Sequence, residues 1–350
     1  MTRPRIWLTG LVVVLLVAVG FAGIRFWRNA HRSDFAKATA LLPADTLRAS
    51  WTDWAGVRAE LGQSGLAASN PDGDAIRAFI EKAFGSDLSA ASTIDESAVA
   101  LAFDYGFSPV NAEWEMFGQS RDGAVMLLKL PDSVDLGPIE NNLRTLGYLG
   151  PDESDQIWSG GPDVIAAIDP SISPELGYVR VLEDQHLIVT SDEPDYLAHA
   201  VAAISGDGLD APLVDEVEAP LSATLFAGDF ACEDLAMSQA DPAEQSTATN
   251  LIEDAGGINP LTGLVVAAYA DRRLRVAMSF ENDEQAQANA TSRVALASGP
   301  APGQGEDFPD LFSVTSASRD GSAVLLDLHA TEGSYALTNL ISGPVLFESC

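Results

Sequence analysis

The sequence is poor in the residue types that carry most enzyme chemistry. Two cysteines (Cys232 and Cys350) and four histidines occur in 350 residues. So few thiols and imidazoles exclude the clustered ligand sets of structural zinc, which need four donors at short spacing. The sequence has no CxxC, HExxH or GxSxG, no phosphate-cradling GxxxxGK[ST] loop, and no GxGxxG leading into a suitable helix. Each of these absences removes a definite chemistry. The pattern implies no cofactor and no metal.

Positive charge is scarce as well. Lys and Arg total 19 against 51 Asp and Glu. Five of the bases (Arg3, Arg5, Arg25, Arg28 and Arg32) precede the first acid, which leaves 14 bases and 51 acids in the rest of the chain. A surface of that sign repels phosphate, so nucleic acid is excluded as a partner. It also repels anionic headgroups, so the body of the protein stands off a lipid surface and stays soluble. Apolar content is 47%, ordinary for a globular protein, and the length allows one large core or two moderate ones.

What is present begins with a run of 19 uncharged residues, 6–24, flanked by arginines on both sides. That length spans a bilayer core, and the run is long for the apolar region of a signal peptide. A cleaved signal with Gly20, Phe21 and Ala22 near the cut is the competing expectation. No lipobox-type cysteine is available. We expect an uncleaved single-pass anchor in residues 1–32, partnered with the membrane through 6–24. The slight excess of arginine on the C-terminal side favours an inside body, whereas long domains translocate regardless of charge. The expectation adopted is a body outside the cytoplasm.

Residues 46–61 set the pattern for the rest. Leu47, Ala49 and Trp51 alternate with polar residues, as in a half-buried strand. Asp53 stands where a helix N-cap belongs, with Trp54, Val57 and Leu61 on one helical face and Gly62 as the stop. The plan returns at 224–237, where Thr224, Leu225 and Ala227 lead to Asp229, Phe230 and Ala231. A helix is expected from about Asp74, ended by Gly85; its FIEKAFG (79–85) is echoed by LIEDAGG (251–257), and the strand expected at VALAFDY (99–105) is echoed by LVVAAYA (264–270). Matched segments in one order indicate duplication. Hairpins are expected at 113–130, around Asp122-Gly123, at 177–190 and at 312–328. Pro138 opens a helix that Gly147 stops. A short polar helix is expected at 31–42. The expected fold is α+β: a first half at 33–206, a linker at 207–217 and a second half at 218–350. Each half supplies one antiparallel sheet, with helices on one face.

Candidate sites are few. His31 is juxtamembrane, and His199 falls on the exposed side of its helix. His186 and His329 sit at strand ends with no nucleophile or second ligand spaced nearby. Asn70-Pro71-Asp72-Gly73-Asp74 lacks the ligand spacing of a calcium loop, so helix capping by Asp72 or Asp74 is the expectation. The acidic loop 151–155 reads as solvated. The equivalent positions of Asp53 and Asp229 suggest a carboxylate pair, but two N-caps account for them. Trp158, in a Pro/Gly-rich polar stretch, is a candidate partner contact, with a core role as the alternative. Cys232 and Cys350 form a possible disulfide if the body is outside the cytoplasm.

Residues 41–54, LLPADTLRASWTDW, behind one membrane segment, resemble an uncharacterised family of single-pass, membrane-anchored proteins from Gram-positive, actinobacterial-type bacteria. Hairpin–helix units such as LIVTSDEPDYLAHAVAAI (187–204) belong to the same resemblance. The second pivot lacks the Pro-Ala-Asp spelling. The resemblance implies the anchored α+β architecture and no assigned reaction. The function expected is a non-enzymatic extracytoplasmic binding or scaffold protein, partnered by a protein or an envelope small molecule. Two alternatives stand beside it. One is a lipid or small-molecule carrier with an apolar groove between the halves. The other is a hydrolase in which His186 or His329 would have to reach a Ser or Asp.

Overall fold

The computed structural model describes residues 32–151, 156–206, 208–228 and 230–350. The expected anchor at 6–24, His31, Asp229 and most of the acidic loop 151–155 lie outside the described residues. Among those described, no helix is long and apolar enough to cross a membrane.

The chain enters through α1 (Asp34–Thr39), which buries Phe35, Ala36, Ala38 and Thr39 and is therefore a packed element, not the polar helix expected. β1 (Arg48–Thr52) then alternates as its sequence dictates. Ala49 and Trp51 face one side, where Trp51 packs 5.4 Å from Trp114 and 5.7 Å from Phe35. The Asp53 carboxylate accepts the Gly56 N–H at 2.8 Å and caps α2 (Trp54–Glu60), whose Trp54 and Val57 are fully buried. Burying such side chains stabilises by roughly 1.5–3 kcal/mol each. α3 (Gly73–Gly85) follows, capped by Asp72 through the Ala75 N–H at 2.9 Å.

The first half continues with β2 (Trp114–Gln119), β3 (Ala124–Lys129), α4 (Gly137–Leu146), β4 (Trp158–Ser159), α5 (Gly161–Ile168), β5 (Tyr178–Leu182), β6 (Leu187–Ser191) and α6 (Pro194–Ile204). The second half runs β7 (Ser222–Ala227), α7 (Phe230–Asp234), α8 (Pro242–Asp254), β8 (Gly263–Ala268), β9 (Arg273–Ser279), α9 (Asp283–Ala297), β10 (Phe312–Asp320), β11 (Ala323–Ala330) and α10 (Ala336–Leu340). Gly147 stops α4 in the left-handed region at φ 99°, and Gly123 leaves room for Tyr196, whose ring would lie 2.7 Å from an added Cβ.

The two halves share one sheet. Its eleven strands run β10-β11-β9-β8-β7-β1-β2-β3-β6-β5-β4, every neighbouring pair antiparallel. This corrects the expectation of one sheet per half. Read outwards from the seam, β1-β2-β3-β6-β5 on one side matches β7-β8-β9-β11-β10 on the other, and β4 is the extra edge strand. Trp54 and Phe230, which open the helices after the seam strands, are 176 positions apart. The same offset relates Ala49 to Leu225, and these two residues face each other across the seam. The duplication therefore has a pseudo-twofold axis through that pair.

Helices cover both faces, which corrects the one-face expectation. α2, α3, α4, α5, α8, α9 and α10 contribute to the larger core, and α1, α6 and a turn at Pro212–Glu216 to the smaller one. The helices that close the two halves, α6 and α10, lie on opposite faces. The segment between the halves is itself packed, with Leu213, Val214 and Val217 buried. A further correction concerns residues 99–105. The expected strand there is a helical turn (Ala98–Ala100) continued by a π-helical turn (Leu101–Tyr105). An apolar run that short fits a buried helix as well as a strand, and here Leu101 and Tyr105 turn inward together. The true counterpart of β8 is β2.

Candidate functional site: a crevice between the halves

Where the two halves meet on the larger-core face, four chain segments leave a crevice of about 280 Å³. The first half supplies the end of α2 and the turn after α3. The second half supplies the β8–β9 hairpin and the loop from β11 to α10. Leu61, Leu88, Leu274, Ala330 and Leu337 give the crevice an apolar lining.

The turn after α3 fixes its base. α3 ends at Gly85, as expected, and the chain turns two residues on at Asp87, which takes the left-handed conformation at φ 60°. Leu88 N–H bonds the Ala83 carbonyl at 3.0 Å and Asp87 N–H the Phe84 carbonyl at 2.9 Å, the paired bonds of a Schellman stop. Glycine usually occupies that position, and an L-residue there is disfavoured by roughly 1–2 kcal/mol. Aspartate is accommodated because its carboxylate reaches the other half. Oδ2 accepts Leu337 N–H at 2.6 Å, and Oδ1 accepts the Thr338 hydroxyl at 2.5 Å. Asp87 thus caps α10, which has no side-chain cap of its own. Burial pushes the Asp87 carboxyl up to about 6, against the opposing pull of the Thr338 and Leu337 bonds.

The cationic side of the crevice comes from the β8–β9 turn. Asp271 and Arg272 both sit at φ 58°, a strained pairing for residues other than glycine. Glu60 of the first half accepts the Asp271 N–H at 3.2 Å and holds the turn. Arg272 makes a loose ion pair with Glu332 at 3.9 Å, and Arg273 lies over the Tyr269 ring, 5.4 Å from its centroid. Among the described residues no carboxylate stands within ion-pair distance of Arg273. Phe84 and Tyr335, next in sequence to the lining residues Gly85 and Ser334, pack in a tilted arrangement at 5.4 Å while 56% and 39% exposed. They are two of the four exposed large hydrophobic residues among those described.

The residues singled out by sequence lie elsewhere. Trp158 is 2% exposed, paired in β4 against Val179, with the Arg144 guanidinium 5.1 Å from its ring centroid. The side chain is thus packed in the larger core, as the alternative expects. Cys232 and Cys350 are joined as a disulfide, with Cα atoms 5.4 Å apart, which ties the C-terminus to α7. His199 bonds Asp45 at 3.2 Å on the surface. Among the described residues neither His186 nor His329 hydrogen-bonds a Ser or Asp, and the Nδ1 of His186 is buried without a partner. Nor are three His, Cys, Asp or Glu side chains grouped to hold a metal ion among the described residues.

One buried carboxylate is structural. Glu115, on β2, accepts hydrogen bonds from Trp54 Nε1 (3.0 Å), Ser92 Oγ (2.8 Å), Thr93 N (2.7 Å) and Thr93 Oγ1 (2.8 Å). Burial raises its pKa and these bonds oppose the rise. All its acceptor capacity is occupied, which leaves nothing for a substrate.

No family model matches this sequence, and no curated protein matches it. Among solved structures there is a likeness to crystal form I of TP0453, with a TM-score of 0.40 and 6% identity, covering 86% of this chain and 96% of that one. A likeness this loose does not establish a common fold.

Proposed function

We propose that the chain is a non-enzymatic binding protein, anchored by residues 6–24 with its α+β body outside the cytoplasm, and that the crevice between the halves is its binding site. The observation that carries this is the make-up of the crevice: a pocket with apolar lining built jointly by both halves, with an arginine that has no ion pair among the described residues. Pockets that bind small molecules combine an apolar lining with a few placed polar groups. The 19-residue uncharged run and the disulfide support the anchored, extracytoplasmic placement.

The carrier alternative shares this site, because the crevice lies between the halves as that alternative requires. Its volume of about 280 Å³ is just below the usual range for drug-sized ligands, so a whole two-chain lipid does not fit. Native mass spectrometry of the full chain released from nanodiscs tests the binding reading. We expect a reproducible added mass of small-molecule size that organic extraction removes and that Ser86→Trp, at the crevice mouth, abolishes. An added mass indifferent to Ser86→Trp would place binding elsewhere. Protease added to intact cells should degrade the body; complete protection would overturn the outside placement.

A further inference from the structure

We infer that the crevice takes a small amphipathic anion: a single ring or short alkyl chain on the apolar lining, with one carboxylate or phosphate head held by Arg272 and Arg273. This rests on the crevice being the binding site, and adds the ligand's charge and size.

The charge follows from which groups are already engaged. Asp87 gives both carboxylate oxygens to the α10 cap, and Glu60 accepts the Asp271 N–H. The cations are less committed. Arg273 lies over the Tyr269 ring and feels Asp327 only at longer range, and the partner of Arg272, Glu332, is 93% exposed and 3.9 Å away. A surface pair of that kind is worth about 0–1 kcal/mol and yields readily to a better acceptor. Arg275, two positions on, is firmly paired with Asp327 at 2.7 Å and is not available. The arginines at 272, 273 and 275 are the densest group of bases in a chain whose post-anchor residues hold 14 bases and 51 acids. In so acidic a protein, loosely engaged arginines beside an apolar pocket mark where an anion is tolerated. Guanidinium groups hold carboxylate and phosphate through paired hydrogen bonds. Size follows from the volume, which admits one ring or a short chain.

Calorimetry with the full chain in nanodiscs tests this, using hexanoate, hexyl phosphate, hexanol, hexylammonium and inorganic phosphate as probes. Hexanoate or hexyl phosphate should bind saturably, and whichever is tighter identifies the head. Hexanol and inorganic phosphate should bind at least tenfold more weakly. The double variant Arg272→Gln/Arg273→Gln should weaken the anionic probes at least tenfold at unchanged melting temperature, while Arg319→Gln, on the far edge strand, leaves them unchanged. Ser86→Trp should abolish binding of the anionic probes.

If hexanol or hexylammonium binds as tightly as the anions and Ser86→Trp removes it, the anion inference falls and the crevice stands. Equal binding of hexanoate to the arginine double variant has the same meaning. If anionic probes bind but Ser86→Trp has no effect, or no probe binds at millimolar concentration, both the inference and the crevice as a small-molecule site fall.

Discussion

Asp87 Oδ2 accepts the backbone N–H of Leu337 at 2.6 Å, a hydrogen bond across 250 positions that joins the first half to the last helix of the second. The residue capping a helix normally precedes it in sequence. Here the cap comes from the other half, so the end of α10, the base of the crevice and the turn after α3 stand or fall together.

The ionisation of Asp87 gives the first prediction. Its carboxyl is raised from 3.8 to about 6 by burial, so the folded state holds the proton more tightly than the unfolded state does. Stability from this source is fully present below pH 3.8 and is lost as pH rises through 6. At about 1.4 kcal/mol per pKa unit, the loss is on the order of 3 kcal/mol. Asp87→Asn keeps a competent cap but cannot titrate. The stability of the native protein relative to Asp87→Asn should therefore fall by that amount between pH 4 and 7, measured by urea unfolding. A gap that stays level with pH would show that the carboxyl titrates normally.

The disulfide gives the second. Cys232 and Cys350 close a loop with a sequence separation of 118. The chain-entropy model assigns a loop of that size roughly 4–5 kcal/mol. The Cys232→Ala/Cys350→Ala variant should lose stability of that order in denaturant unfolding. Intact mass after alkylation without reductant should show no free thiol in the native protein.

The third prediction concerns the buried C-terminal segment. Arg293 is fully buried and donates to the carbonyls of Phe347, Ser349 and Asn259 at 2.6–2.8 Å. Glu348 is equally buried, yet its carboxyl oxygens have no hydrogen-bond partner among the described residues, and burial raises its pKa well above the usual range. Arg293→Ala should destabilise by about 3–5 kcal/mol, because it strips the partner from several buried acceptors. Glu348→Gln keeps the shape of a side chain that makes no hydrogen bond among the described residues and whose charged form burial disfavours, so it should change stability by less than about 1 kcal/mol. Equal losses in the two variants would mean that Glu348 is ionised and paired with Arg293.

Local signals in the sequence were reliable where local physics decides the outcome. The strand at Ala49 and Trp51, the Asp53 and Asp72 caps, the turn at Asp122-Gly123 and the helix between Pro138 and Gly147 all depend on neighbours within a few residues. Outcomes set at long range were not legible. Nothing near Arg48 announces that it will face Phe226, and nothing in α6 says which side of the sheet it will cover. Residues 99–105 were ambiguous because an apolar run that short suits either a strand or a buried helix. The crevice joins the neighbourhoods of residues 60, 87, 272 and 334, which no spacing rule connects. One signal was available: Asp87 stops a helix at a position that favours glycine, and a residue so disfavoured locally is retained for something distant.

The seam has a consequence for the assembly. Along β1 and β7, Ser50 faces Thr224 and Thr52 faces Ser222, all four residues buried on the side away from Trp51. Severed from each other between residues 206 and 218, each half would present an open strand edge, β1 or β7, where the intact sheet has its middle. Because the pairing centres on Ala49 and Leu225, two copies of either half could close that edge about a true twofold axis with little change of register. The chain is in this sense a homodimer written as one polypeptide, and fusion removes the concentration dependence that a dimer's crevice would carry.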